Sequence, residues 1–247
     1  MRQAAYIAQK KIFSKPLVVI LLFLLLVTSA FFMIIFREGE LEALTTTLEE
    51  VREKTEAAAA QNVYGLVIEE SGPGYSLSFK GQVTNNCLYG KIEDFEIEIC
   101  SEDDQYFIKS KLDENWQALN KTGLDALPAV IRDPYYLLQT MLKGKEIVAE
   151  KGAQRTVNNI PCQTYFLEIP PPELQFLTRF ENNATLDKLQ IYLWFSEEEN
   201  FLHRMAILMN VTVEEETIQV NRVYNLTREY EELPEDLPII KGKVSPV

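Results

Sequence analysis

His203 is the one imidazole in the chain, so any histidine-based acid–base or Ser-His-Asp chemistry would have to run through it. No G-x-S-x-G elbow or comparable nucleophile turn accompanies it. It stands third in an alternating run that opens at Phe201, where it reads as a strand residue near a hairpin end. Cys87, Cys100 and Cys162 lack C-x-x-C spacing and have no second histidine to join them, which leaves zinc without a ligand set. An oxidising compartment would permit one disulfide among the three, and a turn near Tyr89 and Gly90 would bring Cys87 and Cys100 together. The sequence leaves that pairing open, and the plainer reading is three buried thiols. The Gly-Pro-Gly run at Gly72 to Gly74 is a strand-to-strand turn, not a phosphate loop, because no helical pattern follows it. The acidic pairs Glu197–Glu198 and Asp103–Asp104 fall in turn-like segments, where neighbouring carboxylates ordinarily face solvent. These residues predict neither enzyme nor metal nor cofactor, so function has to come from the elements around them.

The first of those elements is a run of 21 residues without a charge, Pro16 to Phe36. As a helix it would span roughly 31 Å, about the thickness of a bilayer's hydrocarbon core. A cleaved signal peptide is the alternative, since Thr28 and Ala30 offer small residues for a cleavage site, but signal cores are shorter. The expectation is an uncleaved single-pass anchor over 16–36. Arg2, Lys10, Lys11 and Lys15 precede it, and Glu38, Glu40 and Glu42 follow. The flanks predict a cytoplasmic N-terminus, residues 1–15, and an extracytoplasmic C-terminal domain in the cell membrane or envelope. Beyond Arg37 the chain carries 19 basic and 37 acidic residues, a net charge of −18. That excess, without clustered Lys and Arg, argues against nucleic acid as a partner.

Residues 37–61 form a juxtamembrane segment and first helix, in which Leu41, Leu44, Leu48, Val51, Thr55 and Ala58 recur at spacings of three and four. That stripe either packs on the chain's own domain or joins two anchors as a homodimer through residues 41–58, and three heptads favour the former. From residue 62 the period changes to two. Tyr75, Leu77, Phe79, Gly81 and Val83 share one face, Phe95, Ile97 and Ile99 another, and further strands are predicted at Tyr106–Lys109, Ile147–Lys151, Cys162–Ile169, Leu189–Phe195, Phe201–Val213 and Thr217–Tyr230. Two helices interrupt them. One is capped by Asp133–Pro134, presents Tyr135, Leu138 and Leu142 on one face and stops at Gly144; a shorter one starts at Pro172 and buries Leu174, Leu177 and Phe180. The fold class is therefore α+β: long antiparallel strands covered by a few helices, one domain over 62–232, then an irregular Pro-rich tail over 233–247.

The DPYYLL helix at Asp133, the strand around VNNIPCQTYFLEI at Val157 and the hairpin from IYLWF to NFLHRMAIL, in this order behind a tethered helix, resemble the LolA/LprG-like lipoprotein-carrier superfamily over residues 41 to 232. The resemblance implies an incomplete, or half, barrel wrapped around helices in its mouth, with an apolar cavity between them that takes acyl chains. Asn159 stands where such proteins often carry Gly, no lipobox Cys is present, and a helical anchor replaces the free or lipidated state. Carried onto this chain, the cavity lining comprises Leu77, Phe79, Phe95 and Ile97 on the strands, Leu138, Met141 and Leu142 on the Asp133 helix, and Met205, Ile207 and Met209 on the Phe201 strand. The expected function is binding of a hydrophobic ligand, a lipid or a lipidated protein. The rival expectation is a non-catalytic envelope scaffold or sensor that binds another protein. An enclosed apolar cavity favours the first and a filled core the second.

Overall fold

The computed structural model describes residues 44–85, 87–102, 105–119, 127–143, 146–170, 184–213 and 215–238. The expected membrane span, the stop at Gly144 and the helix from Pro172 lie outside them. Among the described residues no helix is long and apolar enough to cross a membrane.

Helix α1 covers residues 44–59. Strands β1 (Val63–Gly72), β2 (Tyr75–Thr84), β3 (Cys87–Ile92), β4 (Ile97–Glu102), β5 (Gln105–Ser110) and the short β6 (Gln117–Ala118) follow as a meander. Then come helices α2 (Leu127–Val130) and α3 (Pro134–Met141), and strands β7 (Val148–Lys151), β8 (Arg155–Val157), β9 (Ile160–Ile169), β10 (Ala184–Ser196), β11 (Phe201–Val213) and β12 (Glu216–Thr227). Hydrogen bonding orders them β6-β5-β4-β3-β2-β1-β12-β11-β10-β9-β7, with β8 attached to β9. Every pair in this path is antiparallel, and the sheet is open, a half barrel.

The local reasons are legible. Pro73 fixes a negative φ and Gly74 takes +75°, so the β1–β2 hairpin turns in two residues, Gly72 pairing with Tyr75. The β8–β9 hairpin turns on Asn158 and Asn159 at φ 49° and 66°, the left-handed pair that a two-residue turn requires and that Asn tolerates after Gly. The anticipated long strand around Val157 is therefore a hairpin. Asp133 caps α3 by accepting from the Tyr135 and Tyr136 backbone N–H groups at 2.7 and 3.0 Å.

Two expectations are corrected, and one alternative is decided. The chain does not turn near Tyr89 and Gly90, because these lie inside β3, where Gly90 faces Gly81 across the ladder. A Cβ on Gly90 would come within 2.6 Å of Gly81 Cα and 2.5 Å of the Phe79 ring, so the two glycines clear a flat seat for that ring. Phe95 does not begin a strand. A single 3-10 turn, Glu93–Phe95, closes β3 onto β4, and Glu96 at φ 50° resets the alternation so that it starts at Ile97, leaving Phe95 62% exposed. Thirdly, the stripe of α1 faces its own sheet. Val51, Thr55 and Ala58 are buried, Leu48 packs against the core, and the Thr55 hydroxyl donates to Val51 O. The buried part of that stripe is not available for a homodimer through residues 41–58, and the compact unit begins at Thr46, inside this helix.

Candidate functional site

One face of the sheet is buried and largely apolar from β5 to β9. Because side chains alternate, the register lays the buried residues in cross-strand rows. One row runs Phe79, Ile68, Tyr224, Met205, Leu193, Tyr165 over six strands; the next runs Leu77, Glu70, Arg222, Ile207, Ile191, Leu167. On β11 Phe201, His203, Met205, Ile207, Met209 and Val211 are buried together, as the alternation predicts, and Val213 packs at their edge. From α2 and α3, Val130, Tyr135, Leu137, Leu138 and Met141 join the same core, with Ile131 between the two helices and Leu142 at the end of α3. Of the ten predicted lining residues, Leu77, Phe79, Leu138, Met141, Leu142, Met205, Ile207 and Met209 meet in this core, each at most 6% exposed. Ile97 is partly buried at its margin. Phe95 belongs elsewhere.

The cover is held by a small set of polar ties. Tyr106 Oη donates to Ile131 O at 3.0 Å, and the Leu202 N–H donates to Tyr135 Oη at 3.3 Å. Arg52 on α1 donates through Nε and Nη2 to Leu142 O at 3.2 and 2.9 Å, satisfying a carbonyl at the end of α3. Tyr165 Oη donates to Glu50 Oε1 at 2.6 Å, and Lys151 Nζ lies 2.9 Å from the same oxygen. Burial raises the Glu50 carboxyl, but these two partners outweigh it and hold it below its usual value. The rings of Tyr64 and Tyr135 meet edge to face at 5.2 Å.

A buried ion pair lies in the middle of the second row. Arg222 Nε and Nη2 reach Glu70 Oε2 at 2.7 and 2.6 Å, with both side chains 1% exposed. Tyr75 Oη donates to the other Glu70 oxygen at 3.1 Å, and Arg222 Nη1 donates to Ala129 O, on α2, at 2.7 Å. Burial works against the guanidinium charge, yet Tyr224 and Glu70 hold its pKa above the ordinary arginine value. The pair thus joins β1, β12 and the α2 backbone at one point. It was missed from sequence, although alternation gave a signal: Glu70 shares a face with Tyr64, Leu66 and Ile68, and Arg222 with Val220 and Tyr224.

His203 sits at the β10–β11 hairpin, as the sequence suggests. Its Nε2 is 3.3 Å from Glu199 Oε2, its ring stands 4.9 Å from that of Phe201, and Arg228 Nε holds the same Glu199 oxygen at 3.0 Å. Ser196 Oγ, in the same hairpin, accepts the Glu199 N–H at 3.2 Å as a turn cap. Among the described residues no hydroxyl or thiol hydrogen-bonds to the imidazole, and burial lowers its pKa despite Glu199. Among the same residues no cluster of three or more His, Cys, Asp or Glu side chains could hold a metal ion.

No protein-family model matches this chain, and no curated protein does. Among solved structures, the Mycobacterium tuberculosis lipoprotein LppX superposes with a TM-score of 0.52 at 13% identity, over 77% of this chain and 98% of its own. The fold is LolA/LprG-like. LprF from Mycobacterium bovis is also similar, with a TM-score of 0.46 at 12% identity over 76% of this chain and 97% of its own. A putative outer membrane lipoprotein-sorting protein domain from Vibrio parahaemolyticus gives 0.25 at 7% identity, over 76% and 95%. In this LolA/LprG-like fold the rows described above are the face that packs against α2 and α3.

Proposed function

We propose that this domain takes up a hydrophobic ligand, a lipid or the acyl chain of a lipidated partner, between its concave sheet and its helical cover. In this reading residues 16–36 anchor it to a membrane, with residues 1–15 cytoplasmic and the domain outside. It is a binder and not an enzyme. The observation that carries the proposal is a broad buried face, apolar apart from the Glu70–Arg222 pair and His203, whose cover includes two very short helices. α2 and α3 have four and eight residues, too few to be stable without packing, and they are fastened by the few ties named above. Leu138, Met205 and Ile207 are fully shut off from solvent; in this reading that form is the closed one, and a ligand enters by lifting the cover. Burial of an acyl chain contributes about 0.8 kcal/mol per methylene, on the order of 10 kcal/mol for about 14 of them, enough to replace the contacts of a two-turn helix.

The same closure favours a second reading, in which the seam is permanently filled and the domain is an envelope scaffold or sensor for another protein. Native mass spectrometry of the full chain, paired with solvent extraction of the purified protein, separates the two. Near-stoichiometric bound lipid supports the first. A chain that stays lipid-free when offered lipid vesicles, with unchanged amide exchange in α2 and α3, supports the second. Topology is tested by adding protease to intact cells or spheroplasts: removal of the C-terminal domain is expected, and protection until lysis would contradict the anchored, outward-facing arrangement.

A further inference from the structure

The face of the sheet turned away from α2 and α3 carries an aromatic platform near the β7 edge. Strand register sets Phe166, Tyr192, Ala206 and Val223 in one cross-strand row over β9 to β12, and Trp194 opposite Arg204 in the next. All six are partly exposed, alternating with buried neighbours that point to the other face. The Phe166 and Tyr192 rings lie 5.1 Å apart, and the Tyr192 and Trp194 rings 6.3 Å apart. Arg204 Cζ stands 5.5 Å from the centre of the Trp194 ring. Its Nε has no hydrogen-bond partner, and among the described residues no carboxylate pairs with this guanidinium. Glu168 beside the platform is neutralised by Lys188 at 3.3 Å, and Glu150, opposite Phe166, stands at the outer rim. In a chain that carries −18 beyond Arg37, an aromatic surface with an unpaired cation is a local exception.

The path of the chain decides what such a surface can meet. Gln61, just past α1, donates to Glu199 O and Asn200 O in the β10–β11 hairpin, whereas Glu50, earlier in the helix, meets Tyr165 on β9 and Lys151 on β7. β7 is the last strand on that side of the sheet, so the chain enters the domain at the β7 edge, one strand from Phe166. Seven residues, 37–43, separate the end of the apolar span from the start of α1, and seven residues reach about 25 Å at most. A domain of this size is about 40 Å across. A bilayer that holds residues 16–36 is therefore met by surfaces close to this edge, not by the β6 side.

We propose that the Phe166, Tyr192 and Trp194 platform docks on the phospholipid surface of the membrane in which residues 16–36 are anchored, with Arg204 set against lipid phosphate. The inference rests on that anchoring. Tyr and Trp favour the bilayer interface, where their rings sit at headgroup level, and a guanidinium offers phosphate a planar, bidentate fork. The contact is shallow, because the rings lie along the sheet. It orients a domain that the anchor already keeps at high local concentration. One cation beside one rim carboxylate leaves no excess of positive charge, so phosphatidylcholine is sufficient and anionic lipid is not required.

The test uses the full chain reconstituted in phosphatidylcholine vesicles, with or without bromine on the acyl chains near the headgroup. Trp116→Phe leaves Trp194 as the reporter, and Trp194→Phe leaves Trp116, which packs against Tyr89 beside β6 at the opposite edge of the sheet. Trp194 is expected to lose most of its emission in brominated vesicles while Trp116 keeps its own. Adding Arg204→Glu or Tyr192→Glu to Trp116→Phe should restore the emission. Carbonate extraction of the same vesicles tests the anchor separately. A chain retained through carbonate in which both tryptophans are quenched alike, or neither is, would overturn the docking and leave the anchor standing. Quenching of Trp194 that survives both Glu substitutions would come from lipid held on the other face, and would also overturn it. So would a Trp194 shielded from aqueous iodide yet untouched by brominated lipid, which would place a second copy or another protein on this face. A chain stripped by carbonate would overturn the anchor and the docking with it. The comparison of the two tryptophans decides even if a Glu variant fails to fold.

Discussion

Replacing Arg222 by Met keeps most of the side-chain volume but removes the cation from a site where Glu70 is 1% exposed. Glu70 then keeps the 3.1 Å bond from Tyr75, and Ala129 O loses its 2.7 Å donor. Breaking a buried pair by removing one partner costs about 3–5 kcal/mol, because an uncompensated charge stays behind. Domains of this size have about 5–15 kcal/mol in total, so the loss should be visible as a large drop in the urea midpoint at nearly unchanged slope. Trp116 and Trp194 provide the fluorescence readout. The double variant Glu70→Leu with Arg222→Met removes both charges, and it should regain most of the stability. It should not regain the α2 tie, so hydrogen exchange at Val130 and Ile131 is expected to stay faster than in wild type. If Arg222→Met costs under about 1 kcal/mol, or the double variant costs the sum of the two single ones, the account of the ion pair is wrong.

Asp133→Ala removes the acceptor of two backbone N–H groups at the start of α3 and should cost about 1–2 kcal/mol, whereas Asp133→Asn should keep most of it; equal losses would place the effect elsewhere than the cap. His203 has a folded pKa lowered by burial, so the unfolded chain takes up its proton first. Its contribution is therefore full above the unfolded value of about 6.5 and is lost as pH falls below it. Between pH 7 and 5 the melting temperature of wild type should fall more than that of His203→Gln, with bound lipid unchanged; parallel curves would refute the assignment. Ile207 pairs with Ile191 and Arg222 on either side and is fully buried, so Ile207→Trp should cost about 1–3 kcal/mol and lower the lipid recovered by extraction. Unchanged stability together with unchanged lipid would remove Ile207 from the lining.

Local features were written plainly in the chain. The period of two in Tyr75–Val83 and Phe201–Val213, the Asp-Pro start of α3 and the Gly-Pro-Gly turn each act within about ten residues, so their signals needed no partner. The order of those elements was enough to suggest the LolA/LprG-like fold. What failed was non-local. Gly90 reads as a turn residue, and only the presence of Gly81 opposite it and the Phe79 ring above both makes it a strand residue. Phe95 continues an apparent alternation, and only the need to close β3 onto β4 in four residues lifts it out of the sheet. Glu70 and Arg222 are 152 residues apart, and their burial is tolerable because β1 pairs with β12 and places each charge against the other. The same pairing geometry set Cys87 and Cys100 in one buried cluster with Leu237. Sequence determined which stretches would be strands and helices, since backbone periodicity is a property of neighbours along the chain. Tertiary structure decided which side chains share a face, a charge or a hydrogen bond, since strand pairing brings together residues whose separation along the chain carries no local signal.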